Sequence, residues 1–100
     1  MIKNGMRLKS QVCEAQVIVV KAGEALMDLR CGGQPMVPLD QENAIVGVPD
    51  RSLADGAVMG KRYVDESGAE VLVTKAGEGT LSVGTTPLAL KEAKPLPASD

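Results

Sequence analysis

Residues 17–24 read Val-Ile-Val-Val-Lys-Ala-Gly-Glu, and residues 71–78 read Val-Leu-Val-Thr-Lys-Ala-Gly-Glu. The two segments are identical at six of eight positions, and each is followed by a second apolar stretch and then by a glycine-rich turn. Self-similarity of this kind indicates an internal repeat and organises the whole chain. The sequence therefore predicts two copies of one strand–turn–strand unit.

Each copy of the repeat has the residue types of short β-strands. The β-branched runs 17–20 and 71–74 predict the first strand of each unit, and 26–29 and 80–83 predict the second. Between them, the Lys-Ala-Gly-Glu stretch is interpreted as a hairpin turn in which Gly23 or Gly77 takes a positive φ. A third, shorter strand is expected over 36–39 and over 88–90.

The predicted fold class is mostly β, with two tandem small β-ribbon units that share an aliphatic core. The first ribbon unit is expected to span residues 1–39, and the second 58–90. Residues 40–57 are interpreted as a linker with one helical turn near 52–54, for which Ser52 is a suitable N-cap. Because Pro95 and Pro97 cannot donate to a sheet, residues 91–100 are expected to form an extended tail.

Composition restricts both the core and the possible functions. The chain of 100 residues has one aromatic residue, Tyr63, and no histidine. The core must therefore be aliphatic, and catalytic triads, Cys-His pairs and His-ligated metals are excluded. Its net charge is −2 with no basic stripe, so nucleic-acid binding is not expected. The thirteen carboxylates are interpreted as solvated surface groups.

Hydropathy gives two further expectations. No stretch reaches the roughly 18 consecutive apolar residues of a membrane span, so no membrane association is expected. The first residues contain no apolar segment of a secretory signal, and a cytoplasmic location is therefore expected.

The first unit resembles a known iron-binding ribbon. The segments 9–17 and 29–36, which contain Cys13 and Cys31-Gly32-Gly33-Gln34-Pro35-Met36, resemble desulforedoxin and the N-terminal domain of desulfoferrodoxin. That family has a Cys-x-x-Cys knuckle, a glycine-containing hairpin and a Cys-Cys-Gly-x-x-Met segment. The resemblance implies a rubredoxin-like β-ribbon, which forms a homodimer in that family and binds one iron through four thiolates.

This chain departs from the ligand pattern of that family. Ser10 stands at the first cysteine position, Cys13 and Cys31 match the second and third, and Gly32 stands at the fourth. In the second unit, the matching positions are Val64, Ser67, Val83 and Gly84. Rubredoxin-type electron transfer is therefore not expected.

Cys13 and Cys31 are the candidate site residues, and three interpretations remain open. A ribbon of this type brings both side chains to the same end of the sheet. In the first interpretation the two cysteines are reduced, buried thiols, and in the second they form a disulfide. In the third they are half of a zinc or iron site that a second chain completes. Gly32 and Gly33 are interpreted as a tight turn. Lys21 with Glu24, and Lys75 with Glu78, are candidates for charge pairs at the two hairpin tips.

No constellation of catalytic groups is visible, so the chain is not expected to be an enzyme by itself and no cofactor is expected. The predicted function is that of a non-catalytic accessory or interaction subunit, which associates with a larger enzyme or with itself. The alternative is a metal-binding (Zn or Fe) or thiol-redox protein that uses Cys13 and Cys31, with ligands shared across a dimer.

Overall fold

The computed structural model describes residues 2–41 and 47–91, and this part of the chain is mostly β-structure. The first half contains β1 (Arg7–Lys9), β2 (Gln16–Lys21), β3 (Leu29–Cys31), β4 (Gln34–Pro35) and β5 (Val37–Pro38). The second half contains β6 (Arg62–Val64), β7 (Glu70–Lys75), β8 (Leu81–Val83), β9 (Thr86–Pro87) and β10 (Ala89–Leu90). Two 3-10 helices, Glu24–Asp28 and Arg51–Leu53, complete the described elements. The predicted mostly-β class is confirmed.

The strands form two antiparallel sheets. The larger sheet has the order β10-β6-β7-β2-β1-β5, and the smaller has the order β4-β3-β8-β9. Each sheet is symmetric about a central pair of equivalent strands, one from each half of the chain. This pair is β2 with β7 in the larger sheet and β3 with β8 in the smaller one. In the larger sheet, Ile18 lies opposite Leu72, the residue at the same position of the repeat. The two repeated segments therefore pair with each other.

The core is aliphatic and draws on both halves. Alternation along β2 and β7 turns Val17, Val19, Val71 and Val73 inward. They pack in one cluster with buried leucines of both halves, namely Leu8, Leu26, Leu29 and Leu81. Each such side chain contributes roughly 1.5–3 kcal/mol when it leaves water. The expected shared aliphatic core is therefore observed.

The predicted hairpin at Lys-Ala-Gly-Glu is wrong. β2 and β3 lie in different sheets, and the 3-10 helix Glu24–Asp28 carries the chain from one sheet to the other. Residues 26–28 of the expected second strand are therefore helical. The burial pattern agrees with a helical turn, because Leu26 and Leu29, three residues apart, are both buried, whereas Met27 is 70% exposed. Gly23 has an extended backbone, with φ −164. Gly77 is likewise not among the glycines with positive φ.

Other strand predictions are confirmed in the described residues. The runs 17–20 and 71–74 lie within β2 and β7, and the expected short strands appear as β5 and β10. Gly32 and Gly33, with φ 64 and 91, form the two-residue turn between β3 and β4. This conformation is the one that a tight hairpin of that length requires.

The helical turn predicted in the linker is present, but its N-cap is not the predicted residue. Asp50, rather than Ser52, is the N-cap of the helix Arg51–Leu53, and its carboxylate accepts hydrogen bonds from Ser52 N and Oγ at 3.0 and 2.8 Å. Ala57, at the end of the predicted linker, is buried and pairs with Gly77. Residues 42–46 of the linker and 92–100 of the predicted tail lie outside the described residues.

One carboxylate does not belong to the solvated surface. Glu70 is 5% exposed and forms ion pairs with Arg62 at 3.4 Å and with Lys91 at 2.8 Å. Two cations thus offset the cost of removing this charge from water. The prediction of an entirely exposed set of carboxylates is therefore wrong at this position.

Within the described residues, no helix is long and apolar enough to cross a bilayer.

Candidate thiol site

The two cysteines lie next to each other. Cys13, in the loop between β1 and β2, places its Sγ 3.6 Å from the Sγ of Cys31, at the end of β3. Both are free thiols, and the expected convergence of their side chains is confirmed. Cys31 is completely buried, and Cys13 is 9% exposed.

Ser10 holds the loop that contains Cys13. Its Oγ accepts hydrogen bonds from Val12 N at 3.1 Å and from Cys13 N at 3.2 Å. Burial raises the pKa of both thiols, and hydrogen bonding to this hydroxyl acts in the opposite direction on both. The structure therefore brings together the residues at three of the four ligand positions of the sequence resemblance, as two thiols and one hydroxyl. Gly32, at the fourth, contributes a turn.

Two glycines of the second half cover the thiols. A Cβ atom at Gly77 would lie 2.8 Å from Cys13 Sγ, and one at Gly79 would lie 2.7 Å from Cys31 Sγ. The backbone N–H of Gly79 also donates a hydrogen bond of 3.4 Å to Cys13 Sγ. Close approach, rather than positive φ, thus requires glycine here. Sequence reasoning missed this role, although the Gly-Glu-Gly spacing at 77–79 was a signal for it.

The equivalent place in the second half has no thiol. A Cβ atom at Gly23 would lie 3.1 Å from Ala69 Cβ and 4.0 Å from Ser67 Oγ. These neighbours correspond to Ala15 and Cys13, which a Cβ atom at Gly77 would contact in the other half. Ser67 donates from its backbone N to Asp65 Oδ2 at 2.9 Å. The two halves therefore cover each other reciprocally, but only the first half carries cysteine.

Backbone hydrogen bonding corrects one alignment between the halves. Ser10 N donates to Ala15 O, and Asp65 N donates to Ala69 O, in both cases at 2.9 Å. Asp65, and not Val64 as the sequence alignment predicted, is therefore the counterpart of Ser10. In each half an oxygen of this side chain accepts hydrogen bonds from the following loop.

The environments of the two thiols push their pKa values apart. For Cys13, burial alone would raise the pKa. Hydrogen bonds from Ser10, from the amides of Ala15 and Gly79 and from Cys31 outweigh it, and the pKa falls below its ordinary value. For Cys31, burial dominates and raises the pKa to about 12. Cys13 therefore ionises first, while Cys31 keeps its proton.

Solvent reaches the pair from one side. A cleft of about 210 Å³ is lined by Val12, Cys13, Glu14, Gly77 and Glu78. Lys75 forms an ion pair of 3.8 Å with Glu14, across the two halves, rather than the predicted pair with Glu78. The other predicted pair, Lys21 with Glu24, is likewise not formed among the described residues. Cys13 is the thiol that a solute can reach.

The donor set of this chain falls short of a tetrahedral thiolate site. Among the described residues, no group of three or more His, Cys, Asp or Glu side chains is placed to hold a metal ion. Structural zinc and iron–thiolate sites use four ligands, and the site offers two thiols and the hydroxyl of Ser10.

Fold and site together define a small antiparallel β protein with two adjacent thiols, of which Cys13 lines a surface cleft and Cys31 is buried. Comparison of the chain with models of protein families, with curated proteins and with solved structures finds no match.

Proposed function

We propose that this chain is a small, non-catalytic accessory protein whose state is set by a redox-active dithiol. One observation carries the proposal: the two sulfurs lie 3.6 Å apart, and the cleft opens onto Cys13 alone. The lowered pKa of Cys13, which lines the cleft, favours its attack on a disulfide, and the adjacent Cys31 lies where it can then attack the mixed disulfide.

The exchange proceeds in two balanced steps. The thiolate of Cys13 attacks a small disulfide, RSSR, so that a Cys13–SR mixed disulfide forms and one RS⁻ leaves. Cys31 then attacks Cys13 Sγ, and its proton passes to the departing sulfur, which leaves as RSH. In this step the two sulfurs must approach by about 1.5 Å to reach bonding distance. Two thiols are oxidised, and one RSSR is reduced to two thiols.

The burial of Cys31 favours this function over a metal site shared between two chains. A shared zinc or iron ion would need both thiols at the surface of each chain, whereas Cys31 is 0% exposed. A cytoplasmic location is part of the proposal, because reducing conditions there would keep the pair as thiols at rest.

Mass spectrometry after incubation with bis(2-hydroxyethyl) disulfide tests the proposal. We expect wild type to lose two hydrogens and both reactive thiols without forming dimers. Cys31→Ala should stop at a mixed disulfide on Cys13, and Cys13→Ala should remain unmodified while folded.

Two outcomes would overturn the redox assignment. One is a native wild-type protein that forms no internal disulfide. The other is stoichiometric zinc or iron at half an ion per chain, bound by protein purified without oxygen and lost in Cys31→Ala.

Association with a partner protein or with a second copy is the other part of the proposed accessory role. Several large apolar side chains are exposed, among them Met27 at 70%, Val58 at 54% and Met59 at 65%. Scattered apolar residues are common on surfaces, so self-association needs its own measurement. Sedimentation over a wide concentration range should detect a dimer of the reduced or the oxidised chain. A strict monomer in both states would contradict self-association.

A further inference from the structure

The entrance to the thiol cleft carries more negative than positive charge. Glu14 and Glu78 both line the cleft, and both are exposed to solvent. Lys75 pairs with Glu14, whereas Glu78 has no ion pair within the described residues. The remaining lining groups, Val12 and Gly77, are uncharged. A molecule that enters the cleft beside Cys13 therefore meets two carboxylates, of which one is paired with a lysine.

We infer that this cleft selects the charge of its redox partner, so that cationic disulfides react with Cys13 faster than neutral ones, and anionic ones slowest. The inference rests on the proposed redox function and names the substrate class of that site. Glu14 and Glu78 are then specificity-determining residues, and Cys13 is the reacting group. Amine-bearing disulfides are the preferred partners, and carboxylate-bearing disulfides are disfavoured.

Electrostatics gives the size of the effect. Unit charges about 4–6 Å apart in a solvent-exposed cleft interact strongly enough to change a rate by about three- to tenfold. Because the reacting group is an anionic thiolate, it adds to the same preference. Ions of the solution screen exposed charges beyond about 10 Å at 0.1 M salt and more strongly above it, so the preference should shrink as salt is added.

Three small disulfides of similar size test the inference: cystamine (cationic), bis(2-hydroxyethyl) disulfide (neutral) and 3,3′-dithiodipropionate (anionic). The rate of mixed-disulfide formation is measured in Cys31→Ala, where Cys13 reacts alone. Each rate is divided by the rate for the same chain unfolded in urea, which removes the intrinsic reactivity of each reagent. Should Cys31→Ala fold poorly, disulfide formation in wild type gives the same ranking.

We expect the normalised cystamine rate to exceed the dithiodipropionate rate at least tenfold at low salt. Glu78→Gln should reduce this ratio severalfold, and Glu14→Gln combined with Glu78→Gln should reduce it to the smaller preference that the thiolate itself imposes. Glu24→Gln is the matched control, because Glu24 holds the equivalent repeat position but lies at a different surface cleft. It should leave the ratio unchanged.

The outcomes separate the two proposals. Equal normalised rates for the three reagents, or a ratio unaffected by both Gln substitutions, would overturn charge selection and leave the redox function intact. Failure of all three reagents to modify the folded protein would overturn both.

Discussion

Gly77 packs so closely on Cys13 that a Cβ atom at position 77 would lie 2.8 Å from the sulfur. The same Cβ would also contact Ala15, at its N and, at 2.7 Å, its Cβ. The glycine belongs to the second half of the chain and the thiol to the first. The contact therefore fixes the thiol site and joins the halves at the same point.

Gly77→Ala should destabilise the protein by about 1–3 kcal/mol, because the added methyl group has no space. Gly23→Ala is the matched control at the equivalent repeat position. Its Cβ would meet Ala69 Cβ at 3.1 Å, a contact that a small shift relieves, so a smaller loss is expected. Urea unfolding of the reduced proteins measures both. Equal stabilities of the two variants would contradict the packing argument.

The pKa of Cys13 should be visible in its alkylation by iodoacetamide. Because hydrogen bonds to its sulfur lower the pKa, the rate should reach half its maximum at a lower pH in the folded protein than in urea. Ser10→Ala removes one of these hydrogen bonds and should shift the midpoint upward. Ser52→Ala, which removes a hydroxyl that is hydrogen-bonded to Asp50 and to neither thiol, is the control and should not shift it. An unshifted Ser10→Ala profile would refute the assigned role of Ser10.

The buried Cys31 should make the reduced protein less stable in alkali. Its pKa is about 12 in the folded state, above the value of about 8.5 in an unfolded chain. The folded state holds this proton more tightly. The contribution of the Cys31 thiol to the free energy of unfolding is therefore fully present below about pH 8.5, and it is lost as the pH rises towards the pKa of the folded state.

Urea midpoints between about pH 7 and pH 10 measure this loss. Cys31→Ala should flatten the decline relative to wild type, because the variant has no proton to lose at this position. Cys13→Ala retains Cys31 and should still show the decline. A Cys31→Ala curve that runs parallel to wild type would contradict the prediction.

The buried carboxylate Glu70 should be important for stability. Glu70→Gln leaves Arg62 and Lys91 without their anion, and a loss of about 1–3 kcal/mol is expected. Glu66→Gln, at an exposed position of the preceding turn, should change stability by less than about 0.5 kcal/mol. Thermal and urea unfolding at low and high salt check both values. Identical stabilities of the two variants would show that the ion pairs of Glu70 contribute nothing.

The sequence determined the local chemistry of the fold. Runs of β-branched residues bounded by glycine are sufficient to predict β2 and β7, because β-branched side chains favour the extended backbone of a strand. The glycine pair at 32–33 predicts its turn, because few other residues adopt two consecutive positive φ values. Counting cysteines and histidines was enough to restrict the candidate site to Cys13 and Cys31.

The tertiary structure alone decided which segments meet. The repeat did not reveal that β2 pairs with β7 rather than with β3, since strand pairing depends on contacts between residues far apart in the chain. It also did not reveal that Lys-Ala-Gly-Glu of one half covers the loop of the other, where glycine is needed for space and not for its φ angle. The difference in pKa between the two thiols likewise arises from burial and from hydrogen bonds to sulfur. One of these comes from Gly79 N, which only folding brings to Cys13.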